Sequence, residues 1–189
     1  MGICRATFFC LITLLFSCEE LPIKEDKATT FIIAEGEHYA KPRKAATFSD
    51  NILSFRAMFD ASAKYDLGDG SLQSNHNKLL GFSDCSSNHH DNSARFAWRW
   101  YNDELQIYAY AYVDGQRIDK YVGTVEIDEE NHYEIHRTPE AYVFTLNGEQ
   151  TARIERSETC AEGVNYMLYP YFGGSAPAPH DVRVRVMIL

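Results

Sequence analysis

The chain has 189 residues, enough for one domain with its own core and too few for two comfortable ones. Its 27 acidic against 18 basic residues give a formal net charge of −9. That lack of a basic field argues against nucleic acid as a partner, and an acidic polymer would have to be held by a local cluster of cations.

At the amino terminus, Arg5 precedes an apolar run at 6–16 that is too short to span a bilayer, the pattern of a secretory signal. The run ends on Leu15-Phe16-Ser17-Cys18, which resembles the lipobox of bacterial lipoproteins, with Cys18 as the acylated first residue of the mature chain. A plain secretory signal and an uncleaved anchor are the alternatives. Glu19-Glu20 and the polar stretch behind them resemble the start of Bacteroidetes surface lipoproteins. The expected organisation is a signal at 1–17, a tether at 18–30 and a β-sandwich at 31–189, attached to the outer membrane or cell surface through lipid alone. Removing 1–17 takes away Arg5 and leaves 17 basic and 27 acidic residues. Cys4 and Cys10 go with the signal, so Cys85 and Cys160 remain either to form one disulfide in an exported chain or to stay as two buried thiols.

Beyond the tether, turn signals recur at short intervals: Asp69-Gly70, Asn102-Asp103, Asp114-Gly115, Asn147-Gly148 and Gly173-Gly174. Runs of period two lie between them, among them 52–59, 95–101, 105–113, 121–128, 142–146 and 182–188. Many short alternating strands with few helix signals predict an all-β sandwich or jelly roll.

The stretch SARFAWRWYNDELQIYAYAY at 93–112 can be read in register. With Asn102-Asp103 as the turn, Trp100 faces Leu105, Trp98 faces Ile107, Phe96 faces Ala109 and Ala94 faces Ala111, an entirely apolar inner face. The outer face then carries Ser93, Arg95 and Arg99 beside Gln106, Tyr110 and Tyr112, with Tyr108 opposite Ala97. Planar donors and aromatic rings suit a surface that stacks and hydrogen-bonds sugars or docks a protein. The plainer alternative is a set of good strand formers covered by a loop.

The longer segment NKLLGFSDCSSNHHDNSARFAWRWYNDELQIYAY, from Asn77 to Tyr110, resembles the polysaccharide lyases of family 14, which include alginate and glucuronan lyases. The residues that carry the resemblance are Lys78-Leu79, Gly81, Cys85, Ser93-x-Arg95, Trp98-Arg99, Glu104 and Tyr108-x-Tyr110; Leu80 and Phe82 depart from the pattern. The resemblance implies a concanavalin A-like jelly roll with a concave ligand face and β-elimination on a uronic-acid polymer. Elimination removes the C5 proton, builds charge on the C6 carboxylate and returns a proton to the O4 leaving group. Lys78 and Arg95 are then expected on the carboxylate, and Tyr108 or Tyr110 as proton donor or acceptor. Ser93, Arg99, Gln106 and Tyr112 are expected to line the groove. For a tyrosine to act as base, a neighbouring cation must lower its pKa, and Arg95 opposite Tyr110 is the expected neighbour. Non-catalytic glycan binding and a protein-docking surface stand beside this reading.

Other groupings are weaker. His76 and His89-His90-Asp91 lack a spaced partner motif for metal and read as solvated loop. No cofactor is expected, with structural calcium on Asp66, Asp69 and Asp84, or between Glu35-Gly36 and Asp181, as an option.

Overall fold

Three of the turn dipeptides adopt left-handed backbone at both positions: Asn102-Asp103 with φ of 53° and 60°, Asp114-Gly115 with 49° and 77°, and Asn147-Gly148 with 52° and 85°. This is the geometry of two-residue hairpin loops, whose twist matches that of the strands they join. The computed structural model describes residues 27–160 and 163–189. The signal, Cys18 and most of the tether lie outside the described residues.

The strands are β1 (Thr29–Ile33), β2 (Ala40–Lys41), β3 (Thr47–Phe48), β4 (Ile52–Phe59), β5 (Asn77–Ser83), β6 (Ser93–Tyr101) and β7 (Glu104–Val113). They continue with β8 (Gln116–Val125), β9 (Glu130–Arg137), β10 (Ala141–Leu146), β11 (Glu149–Glu155), β12 (Asn165–Leu168) and β13 (Val182–Ile188). A single helical turn, α1 (Gly70–Gln73), is capped by the Asp69 carboxylate, which accepts from the Ser71 and Leu72 amides. β1 begins at Thr29, inside the last two positions read as tether. The strand expected at 121–128 starts earlier, because the Asp114-Gly115 hairpin turns β7 directly into β8.

The strands form two antiparallel sheets, β11-β10-β9-β4-β13-β1-β2 and β3-β12-β5-β6-β7-β8. The pattern that made β13 legible holds: Val182, Val184 and Val186 are buried, while Arg183 and Arg185 face out. Aromatic contacts lock the sheets face to face: Phe59 on Trp98 at 5.0 Å, Phe96 edge-on to Tyr133 at 5.1 Å and to Phe144 at 5.2 Å. The β6–β7 register is the one read from the sequence, with Ser93 opposite Tyr112 and Tyr101 opposite Glu104. Trp98 is 1% exposed, so the apolar face is the inner one. A disulfide joins Cys85 to Cys160 across 75 residues, a closure that stabilises by about 4 kcal/mol in the chain-entropy model.

Candidate functional site

The outer face of the six-stranded sheet is assembled by parity and by two bulges. On β6 and β7, Arg95 pairs with Tyr110 and Ala97 with Tyr108, so these residues share the face away from the core. The register of β5 against β6 shifts between Lys78 and Gly81: Lys78 lies opposite Ala97 and Gly81 opposite Arg95. One extra residue thus sits in β5, and it brings Lys78 onto the same face as Arg95. Glycine at 81 is required by that arrangement, because a Cβ there would meet the Ala94 carbonyl oxygen at 2.1 Å and the Arg95 side chain at 2.6 Å. A second shift, between Ile107 and Tyr108 against β8, sets Tyr121 opposite Tyr108 and Asp119 opposite Tyr110.

A pocket of about 480 Å³ opens on this face. Its floor is Arg95, Lys78, Ser93, Tyr110 and Tyr112. One wall is 169–174, where the Lys78 amide donates to the Tyr171 carbonyl at 2.8 Å and the Tyr171 amide returns the bond at 3.1 Å. Gly173 makes this approach feasible, since a Cβ there would come within 1.9 Å of the His76 carbonyl oxygen and 2.8 Å of Lys78 Nζ. That wall continues into Tyr39, which bridges Tyr171, and on to Arg43 and Lys44, while His89 and His90 form the rim.

Of the two floor cations, Arg95 is buried and Lys78 half-buried. Arg95 is 8% exposed, and one of its terminal nitrogens donates to the Tyr169 carbonyl at 2.6 Å while Nε is buried without a partner. Burial pulls its pKa down to about 10. Lys78 Nζ donates to the His76 carbonyl at 2.7 Å and lies 4.9 Å from the Tyr110 ring centre. Burial, then repulsion from Arg95 and Arg117, lowers its pKa to about 8. No ion pair joins either residue to a carboxylate among the described residues. Among the described residues, no aspartate or glutamate lines the pocket.

The expectation of an activated tyrosine is corrected. Burial, with the neighbouring Tyr112 hydroxyl, raises the Tyr110 pKa, and the pull of Arg117 and Arg95 in the other direction does not offset it. Burial also raises Tyr108. Both phenols therefore stay protonated at neutral pH and suit proton donation rather than abstraction.

The remaining expected site residues divide. Tyr112 lines the pocket; Ser93 does so while its hydroxyl donates to the His89 carbonyl at 2.7 Å, tying down the β5–β6 loop. Tyr108, Arg99 and Gln106 lie beside the pocket rather than around it. They satisfy one another: Arg99 Nε and the Tyr108 hydroxyl both donate to Gln106 Oε1 at 2.9 Å, and Arg99 also reaches the Ser74 carbonyl at 2.9 Å. Sequence reasoning missed Tyr39, Arg43, Tyr169 and Tyr171, and set aside His89 and His90 as solvated loop. The aromatic Tyr169-Pro170-Tyr171-Phe172-Gly173-Gly174 run was the available signal.

His76 adjoins the pocket without lining it, its ring 4.2 Å from Tyr108 and 6.2 Å from Tyr110, its Nε2 buried without a partner and its pKa pushed to about 4 by burial. Among the described residues, the group of metal-ligating side chains that comes together is Asp84, Cys85 and Cys160, whose thiols are consumed by the disulfide. The carboxylates considered for calcium are engaged separately. Asp66 accepts from the Gly68 amide, Asp69 caps α1, and Asp181 accepts from the Glu35 amide and Arg183. Asp84 accepts from Arg156, Arg137 and Tyr142.

This geometry belongs to a jelly-roll-type β-sandwich similar to several solved glycan-active enzymes. An alginate lyase aligns over 88% of this chain and 75% of its own with a TM-score of 0.62 at 9% identity. A glycoside hydrolase family 16 endo-glucanase from Bacteroides ovatus aligns over 85% and 80% with a TM-score of 0.56 at 8% identity. The catalytic domain of an endo-1,3-β-glucanase (laminarinase) from Thermotoga petrophila aligns over 84% and 74% with a TM-score of 0.56 at 9% identity. No protein-family model and no curated protein matches the sequence. At these identities the likeness is one of fold.

Proposed function

We propose that this protein acts on an anionic, uronic-acid polysaccharide by β-elimination at the pocket formed by Lys78, Arg95 and Tyr110. The observation that carries the reading is the pair of cations, Arg95 buried and Lys78 half-buried, with no carboxylate among the described residues that line the pocket. A buried cation without a counter-ion is costly to the fold, and an acidic ligand offsets that cost. The same absence separates elimination from hydrolysis, since glycoside hydrolysis ordinarily uses two carboxylates flanking the scissile bond. The likeness to the alginate lyase fold and the resemblance of 77–110 to family 14 lyases support the same substrate class.

The proposed roles follow from charge and protonation. Arg95 binds the C6 carboxylate and stabilises the charge that builds on it as the C5–H bond breaks. Lys78, with a pKa of about 8, is partly neutral near physiological pH and takes the C5 proton. The C4–O4 bond then breaks, a C4–C5 double bond forms, and the protonated Tyr110 phenol donates to O4. Lys78 and Tyr110 sit side by side, as proton transfers at adjacent carbons of one sugar require. The leader ending in Cys18 supports export and lipid anchoring at the outer membrane or cell surface, to be checked by fatty-acid labelling that Cys18→Ala should abolish.

The test is to incubate the protein with alginate and glucuronan and follow the absorbance of unsaturated uronate. Growth of that band, lost in Tyr110→Phe and in Lys78→Met, is the expected result. Retention on a uronan column with no absorbance change would replace elimination with non-catalytic binding at the same pocket. Neither retention nor absorbance would remove the polysaccharide reading altogether.

A further inference from the structure

The pocket holds more positive charge than one uronate can offset. Besides Lys78 and Arg95 on its floor, Arg43 and Lys44 line its outer wall, and neither is ion-paired among the described residues. The Arg43 guanidinium lies 4.9 Å from the Tyr39 ring centre, and Lys44 Nζ donates to the Thr29 hydroxyl at 2.9 Å. Tyr39 is 57% exposed and stands edge-on to Tyr171 at 5.0 Å, and the Tyr39–Tyr171 bridge ties it to the 169–174 wall. An exposed ring fixed at its back by a second ring is a surface on which a sugar can stack. Arg43 stands against this ring, and Lys44 is exposed on the same wall.

We infer that Tyr39, Arg43 and Lys44 form a second anionic subsite, and that the preferred ligand carries an acidic group on each of two adjacent sugars. The inference rests on the proposed uronan reading and narrows its substrate class. A cavity of about 480 Å³ lies in the lower half of the size range of small-ligand sites, so floor and outer wall are reached by neighbouring sugars rather than by distant parts of a chain. One carboxylate on Arg95 leaves Arg43 and Lys44 uncompensated, and a second, on the next sugar, meets them. A polymer in which acidic and neutral sugars alternate presents a neutral ring there instead. The outer cations are solvated and open to screening, so their contribution falls with salt while that of the floor persists.

Two polymers and two variants test this. Glucuronan is acidic at every sugar and hyaluronan at every second one; affinity for each is measured by affinity electrophoresis at low and high salt. Wild type is expected to prefer glucuronan by on the order of tenfold, the scale of one charge-assisted contact. Arg43→Ala/Lys44→Ala is expected to erase that preference and leave hyaluronan binding unchanged, whereas Arg95→Met weakens both. Equal wild-type affinity for the two polymers, or a double variant that keeps the preference, overturns the second subsite while leaving the uronan reading intact. Failure of wild type to bind either polymer overturns both.

Discussion

Arg137 and Arg156 reach a buried carboxylate, whereas Arg95 and Lys78 reach only carbonyls and rings. In the first region, Asp84 is 1% exposed and accepts from Arg156 Nε at 2.5 Å, from Arg137 at 3.2 Å and from the Tyr142 hydroxyl at 2.8 Å. Arg156 also contacts Cys160 Sγ at 2.9 Å, so the network closes onto the disulfide. It joins the end of β5, β9, β10 and the chain after β11 through one carboxylate shared by two guanidiniums. In the second region, on the outer face of the same β5–β6 pair, the charges have no carboxylate partner among the described residues. Charge that is cancelled inside the fold serves the fold, and charge left uncancelled in an open pocket is available to a ligand.

The largest expected effect comes from breaking the ion-paired region. Asp84→Ala leaves two arginines half-buried without their counter-ion and should lower stability by about 3–5 kcal/mol, read from urea unfolding. Burial works to raise the Asp84 pKa, but hydrogen bonds from Arg156 and Tyr142 outweigh it and hold the group below the usual carboxylate value. Its contribution is therefore present above the unfolded pKa of ~3.9 and is lost as pH falls through the folded value. Wild type and variant should converge in strong acid, and a gap of constant size would contradict the network's role.

A matched pair of substitutions sharpens the contrast. Arg156→Met removes hydrogen bonds to a buried carboxylate and should cost roughly 1.5–3 kcal/mol. Arg95→Met removes a buried charge that no carboxylate balances, so its stability should stay within about 1 kcal/mol of wild type or exceed it, while uronan retention is lost. If Arg95→Met proves the more destabilising of the two, Arg95 is a structural residue and the division between the regions fails.

How far the sequence revealed these regions follows from what parity can carry. The β6–β7 hairpin was legible because Asn102-Asp103 fixes a two-residue loop, and from it every facing of 93–112 follows by counting. The bounds of β4 and β13 were legible for the same reason, a clean period of two. Counting fails at β5: the bulge between Lys78 and Gly81 reverses parity, and only the family resemblance put Lys78 beside Arg95. The pocket walls carry no period at all, since 39–44 and 169–174 meet through the Tyr39–Tyr171 bridge between distant parts of the chain. The sign of the tyrosine shifts was also hidden, because the depth of burial, which decides it, is set by those walls. Asp84 read as a calcium ligand because its partners, Arg137 and Arg156, are 53 and 72 residues away.

The smallest expected effect is a change of slope with pH, and it separates the two regions by the end of the scale at which they titrate. Lys78 has a folded pKa of about 8 against ~10.4 for an unfolded lysine, so between these values the unfolded chain binds more protons at this site. Stability should therefore rise with pH across that window, the opposite end of the scale from Asp84. Taking the difference in urea midpoint between wild type and Lys78→Met at each pH cancels the titration of the arginines and tyrosines that both proteins share. That difference should move in favour of wild type from about pH 8 to about pH 10 and be flat below. A flat difference without ligand would mean that the Lys78 amine is not penalised by burial. The pocket would then hold its charge as comfortably as the Asp84 network does, and the case for a ligand-balanced site would lose its energetic basis.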